Sequence, residues 1–359
     1  MAGFIIFAMR ELKKQSSLVT SKEVGPLGVF HLKRLWSRVT AHQPLPLTED
    51  PAREWTFDKV VIHGLGLALE ETLQYLARST PTYAEFEQWV LQKNGGRIAG
   101  EIISRINSAV GGTAYSDAVQ RSLQTIDLSG PVLSPEDLIF WQENGYVKVS
   151  RAVSEKQCTA SEEAIWDFID ADPSAPETWY KHSDRHGIMV QLFHHPALAA
   201  NRQSQRIHKA FAQIWGTADL WMTIDRVSFN PPERDGWCFP GPYLHWDTTL
   251  KADLPLGVSG LIYLTDTAAE QGAFRCVPRF HHRIQAWLEA QPPNSVPSQQ
   301  DLEQLGAISI PGKRGDLIIW HHGLPHGSGP NSSDRPRIVQ YMKMYPCEMN
   351  TFTRGRTQS

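Results

Sequence analysis

Beyond about residue 220 the chain runs as a series of short apolar segments, at 221–229, 258–264, 273–277, 316–320 and 337–345, separated by glycine, proline and asparagine. Runs of this length, bounded by turn formers, are strand signals. A succession of them predicts an antiparallel sandwich or barrel. Between the first two lies the stretch 230–243, Asn-Pro-Pro-Glu-Arg-Asp-Gly-Trp-Cys-Phe-Pro-Gly-Pro-Tyr. It is too long for a tight hairpin, and its proline and glycine content suits a mouth or lid.

The first third reads differently. Thr82 with Glu85 forms a capping box ahead of Phe86, Trp89 and Val90, and Gly95-Gly96 ends that helix. Leu65, Leu69, Leu73 and Leu76 recur at helical spacing, as do Ile102, Ile106 and Val110 before Gly111-Gly112; both stripes are packing faces. Ser134 and Pro135 then open a helix that Gly145 stops, a strand follows at 146–149, and Ser154 with Gln157 caps a helix carrying Ile165, Phe168 and Ile169. The expected class is therefore α+β, with helices first and a β-rich core later.

Composition narrows the partners. At 41% hydrophobic and 20% charged residues the chain is of ordinary globular type, and 35 basic against 38 acidic residues give no global attraction to nucleic acid. The apolar run at 2–9 is far shorter than the ~20 residues that span a bilayer and lacks a signal-peptide pattern, so no stable membrane insertion is expected. Cys158, Cys238, Cys276 and Cys347 show no C-x-x-C pairing, which fits a reducing, cytoplasmic setting. No sequence feature fixes an oligomeric state.

The chemistry concentrates after the long loop. His245 and Asp247 are two apart in a segment expected to be extended, where i and i+2 share a side and can address one metal ion. Alone, such a tripeptide is common and reads equally as a surface hydrogen bond. Near the end of the strand series, His326 closes an apolar run and a Gly-Pro-Asn turn returns the chain at Arg337; a hairpin of that shape brings the two side chains together. Two histidines and one carboxylate make a facial triad, which suits Fe(II) and leaves three positions open, two for a chelating 2-oxo acid and one for dioxygen. Arg337 offers a planar fork for a distal carboxylate. His321 and His322, and the pairs His194-His195 and His281-His282, compete for the metal; register against Arg337 favours His326, and adjacent histidines on a strand point to opposite faces. Arg226, Trp237, Phe239 and Tyr243 are the candidates for touching a small-molecule substrate, with core anchoring the alternative for the three aromatics.

From about 133 to 346 the chain resembles the phytanoyl-CoA dioxygenase-like branch of the Fe(II)/2-oxoglutarate-dependent oxygenases. The resemblance is strongest at His245-Trp246-Asp247, at 261–278 and from Gly315-Asp316 to Arg337. It implies that His245, Asp247 and His326 hold the iron and that Arg337, with ten residues between it and His326, binds the 2-oxoglutarate C5 carboxylate with help from Ser328. It also implies a double-stranded β-helix, the cupin-like jelly roll, flanked by helices. The expected organisation is a helical N-terminal extension at 1–130, an oxygenase domain at 131–349 and a tail at 350–359. The implied activity is dioxygen-dependent hydroxylation of an unactivated C–H bond of a small organic metabolite, with release of succinate and carbon dioxide. Asp247 stands where halogenating relatives carry a small residue, which favours hydroxylation. Residues 1–130 have no counterpart in the resemblance, so no substrate is carried over. Two other readings stay open: a cupin-like metal enzyme acting as hydrolase or isomerase, and a catalytically silent jelly-roll binding protein.

Overall fold

The computed structural model describes residues 18–180, 185–248, 250, 254–292 and 298–347. The apolar run at 2–9 and the tail at 350–359 lie outside these. Among the described residues six helices come first: α1 (Leu32–Thr40), α2 (Pro51–Gly64), α3 (Leu69–Ser79), α4 (Tyr83–Lys93), α5 (Gly100–Gly111) and α6 (Asp117–Leu128). Then follow α7 (Pro135–Asn144), β1 (Tyr146–Val149) and α8 (Glu155–Phe168), the short strands β2 (Arg185–His186) and β3 (Met189–Val190), and α9 (Pro196–Arg202) and α10 (Gln205–Trp215).

Local signals set the helix ends. The capping boxes of α4, α7 and α8 form at Thr82/Glu85, Ser134/Asp137 and Ser154/Gln157, each satisfying backbone N–H groups that the first turn leaves open. Gly145 ends α7 at φ +76, a conformation that carries no penalty for glycine. The leucine stripe is a correction: Leu65 caps the end of α2, Gly66 turns the chain at φ +66, and α3 begins only at Leu69. The side-chain amide of Asn94 donates to the Leu65 carbonyl at 3.0 Å and holds that turn. Leu65 and Leu67 are buried from the turn itself.

The remaining strands are β4 (Leu220–Met222), β5 (Val227–Asn230), β6 (Val258–Tyr263), β7 (Phe274–Cys276), β8 (Ile308–Ile310), β9 (Leu317–His321), β10 (His326–Ser328), β11 (Arg337–Met342) and β12 (Met344–Pro346). Among the described residues they form an antiparallel large sheet, ordered β1-β9-β6-β11-β5-β3-β2, a small sheet β10-β7-β8 and a ribbon β12-β4. Alternation assigns the two faces of the large sheet. Leu261, Tyr263, Ile318, Trp320 and Val339 pack with Phe274, Cys276 and Ile310 of the small sheet. Ile262, Leu317, Ile319, Ile338 and Met342 join the other core cluster, which also takes in Val60, Ile62, Ile106 and Phe211 from the helices.

Two expected single strands are broken. The run at 221–229 divides into β4 and β5, and that at 337–345 into β11 and β12, because the chain leaves the large sheet to form the ribbon. The hairpin expected from His326 to Arg337 is also corrected: β10 pairs with β7, whereas β11 pairs with β5 and β6. The connection crosses from one sheet to the other, and Asn331 holds the corner by donating to the Asn230 and Arg335 carbonyls at 2.9 and 2.8 Å.

Candidate metal centre

The His245 segment joins the small sheet through one reciprocal pair of backbone hydrogen bonds with His326, both 2.9 Å. The approach is close enough to require glycine beside it: a Cβ on Gly327 would lie 2.3 Å from the Tyr243 carbonyl oxygen. Asp247 lies in the bend after the bridge rather than in a strand. Even so, its Oδ1 is 3.4 Å from His245 Nε2 and its Oδ2 is 3.6 Å from His326 Nε2. One ligand atom from each of the three residues falls within 4.8 Å of the others.

Both imidazoles are oriented by main chain. His245 Nδ1 lies 2.7 Å from the Tyr243 carbonyl and His326 Nδ1 lies 3.0 Å from the Leu324 carbonyl. A carbonyl only accepts, so each Nδ1 carries a proton, and Nε2, turned toward Asp247, is the atom through which each ring can ligate a metal. Burial works against ionisation of Asp247, but the adjoining His245 and His326 rings and the charge of Lys343 outweigh it, holding the carboxyl well below the usual carboxylate range. This donor set fits a divalent cation with open coordination positions.

Arg337 is fully buried. Its Nη1 donates to Ser328 Oγ at 3.0 Å and its Nη2 to Ser228 Oγ at 2.9 Å, while Nε has no partner among the described residues. A buried guanidinium whose partners here are hydroxyls is suited to a carboxylate. The cavity beside the three donors has a volume of about 340 Å³. Ser328 is on its wall, and the buried Arg337 donates to that serine.

Of the four substrate candidates, only Arg226 is on that wall. It forms an ion pair with Glu70 of α3, so the helical first third reaches the cavity rim. Beside it, Glu71 accepts from His194 at 2.9 Å and pairs with Lys93. Phe239 is buried and packs edge-to-face on Tyr243, whose hydroxyl donates to the Phe239 carbonyl. Trp237 packs against Tyr180. The structure thus keeps these three aromatics off the wall, anchoring the long loop to itself and to its neighbours.

The competing histidines are engaged elsewhere. His322 Nε2 meets Ser259 Oγ at 3.0 Å, His321 Nδ1 accepts from the Gly323 N–H, and His281 and His282 both contact the Gln142 carbonyl. Burial lowers His321 and His322 to about 3. Another close group, His31, Glu54 and Asp58, is also paired: Arg34 donates to Glu54 at 2.8 Å and Arg38 to Asp58, joining α1 to α2.

Sequence reasoning missed Lys343, which donates from Nζ to Asp247 Oδ2 at 3.0 Å. Burial opposes its charge, and Asp247 with Asp225 more than compensates, raising its pKa. Trp320, a 2% exposed indole packed in the core against Phe274, also reaches the cavity wall, and its N–H has no partner among the described residues.

A sequence model described as phytanoyl-CoA dioxygenase (PhyH) matches residues 141–339. A Dictyostelium discoideum protein named for the phytanoyl-CoA dioxygenases is 21% identical over 258 residues, covering 58% of this chain and 74% of the relative. A methylphosphonate hydroxylase of Gimesia maris is 20% identical over 217 residues, covering 58% and 80%. Among solved structures, the α-ketoglutarate-dependent carbocyclase SnoK from nogalamycin biosynthesis aligns with TM-score 0.42 at 21% identity, over 60% of this chain and 87% of its own. HygX of Streptomyces hygroscopicus, with nickel and 2-oxoglutarate bound, aligns with TM-score 0.43 at 13% identity, over 60% and 88%. Because the family match spans more than half of the 359 residues, the chain belongs to the phytanoyl-CoA dioxygenase family of Fe(II)- and 2-oxoglutarate-dependent enzymes.

Proposed function

We propose that this enzyme hydroxylates an unactivated C–H bond of a small organic metabolite, converting 2-oxoglutarate and dioxygen to succinate and carbon dioxide. His245, Asp247 and His326 hold the iron; Arg337, assisted by Ser328 and Ser228, receives the C5 carboxylate of 2-oxoglutarate. The iron, when bound, supplies dioxygen activation. The chain supplies position and charge. The Tyr243 and Leu324 carbonyls keep both Nε2 lone pairs aimed at one point, and the large and small sheets form the two walls of a double-stranded β-helix around it. Residues 131–349 are the oxygenase unit, with 1–130 a helical extension whose Glu70 braces Arg226 for contact with substrate.

The convergence of two backbone-oriented imidazoles on Asp247 carries this reading. Its test is anaerobic Fe(II) titration followed by succinate assay with 2-oxoglutarate. Metal binding and succinate formation are expected in the native chain, with both lost in Asp247→Ala. Full turnover by Asp247→Ala would remove the acid from the metal sphere, and absence of 2-oxoglutarate-dependent succinate in the native protein would overturn the reading. No helix among the described residues is long and apolar enough to cross a membrane.

A further inference from the structure

We propose that Lys343 is a positioning residue that restricts Asp247 to one ligating oxygen. Along β11 the inward face carries Arg337 and Val339, and the same alternation continues through Tyr341 to Lys343 on the cavity wall. The Lys343 backbone is fixed where the large sheet gives way to the ribbon: its N–H donates to Thr223 Oγ1 at 2.8 Å, and its carbonyl accepts from the Thr223 N–H at 2.9 Å. From that fixed point Nζ reaches Asp247 Oδ2 at 3.0 Å.

The carboxylate presents both oxygens to the centre, Oδ1 toward His245 and Oδ2 toward His326. Unrestrained, it is placed to chelate a cation through both. A six-coordinate ion that takes two imidazoles and two carboxylate oxygens keeps only two positions; one that takes a single oxygen keeps three. A chelating 2-oxo acid together with dioxygen needs three. By occupying Oδ2 with a charge-assisted hydrogen bond, the ammonium leaves Oδ1 as the ligand. It also places a positive charge beside the cation, which weakens metal binding. Lys343 therefore lowers metal affinity while preserving room for the cosubstrate.

That pair of opposite effects is the test, and it rests on the proposed iron site. Co(II) is titrated into the apo protein for the native chain, Lys343→Met and Lys343→Arg, 2-oxoglutarate affinity of each Co(II) form is measured calorimetrically, and succinate is assayed with Fe(II). In Lys343→Met, Co(II) should bind at least as tightly as in the native chain, while 2-oxoglutarate affinity and succinate kcat fall about tenfold or more. Lys343→Arg, which keeps charge and donor, should recover most of both. A Lys343→Met protein that loses Co(II) affinity, or whose 2-oxoglutarate affinity stays within about twofold of native, overturns the proposal. Should Lys343→Met fail to fold, Lys343→Leu, which also lacks a donor, is read by the same criteria. A native chain that binds no Co(II) refutes instead the metal site on which the proposal stands.

Discussion

Replacing Arg337 with Met should separate ligand binding from folding. In the unliganded chain this guanidinium is fully buried with two serine hydroxyls as partners. Methionine keeps the length and removes the charge. Losing one partner of a buried, hydrogen-bonded charge pair costs about 2–5 kcal/mol, so the 2-oxoglutarate Kd should rise by at least about 30-fold. Folding should respond in the other direction. With no ligand present, the native chain bears the desolvation of a charge that hydroxyls offset only in part, so Arg337→Met should match native stability or exceed it by about 1 kcal/mol. Melting each protein with and without 2-oxoglutarate reads both effects. A ligand at 100 times its Kd stabilises the native state by about 2.7 kcal/mol, and at that same concentration the variant should show no more than about a third of it. Fe(II) affinity should hardly change, because Arg337 touches none of the three metal donors. A variant that binds 2-oxoglutarate within about threefold of native would refute the assignment of the cradle.

Gly327→Ala should cost about 1–3 kcal/mol of stability and weaken metal binding, because the new Cβ displaces the Tyr243 carbonyl and with it the His245 segment. Unchanged Co(II) affinity in a folded variant would show that this close approach does not set the site. Burial holds His63 at about 4 against an ordinary 6.5, with the ring 2.7 Å from the Tyr345 hydroxyl. The unfolded chain therefore takes up a proton that the folded chain refuses; the contribution is complete above pH 6.5 and is lost as pH falls toward about 4. His63→Gln should flatten the stability-versus-pH curve in that window by up to about 3 kcal/mol, measured by urea unfolding at fixed pH. An unaltered slope would show that His63 is already charged in the native state.

What sequence made legible was local. The boxes at Thr82 and Ser154 and the Ser134 cap need only a few adjacent residues, so the structure repeats them. His245 and Asp247 could be paired because they are two apart, and the Asp247 bend still turns both toward the same point. Placement in a sheet was not local: whether His326 and Arg337 share a hairpin depends on β5, β6 and β7, far away in the chain, and the hairpin reading failed there. Lys343 was invisible for the same reason, being 96 residues from the carboxylate it meets. The loop aromatics illustrate a third limit. Nothing in a loop's composition tells which way its side chains turn; here the Phe239 N–H donates to Glu233 and the Tyr243 hydroxyl back to the Phe239 carbonyl, tying the loop to itself.

The two imidazoles at the centre are each steered by the peptide oxygen two positions upstream, Tyr243 for one and Leu324 for the other. Every residue type has that oxygen, so the aim of the rings is indifferent to which side chains stand at 243 and 324. If the proposed assignment holds, substrate preference can drift through Arg226, Met189 or Tyr341 on the cavity wall while the proposed iron ligands keep their aim. A scaffold arranged this way can keep its oxidising chemistry constant and exchange the molecule on which it is spent.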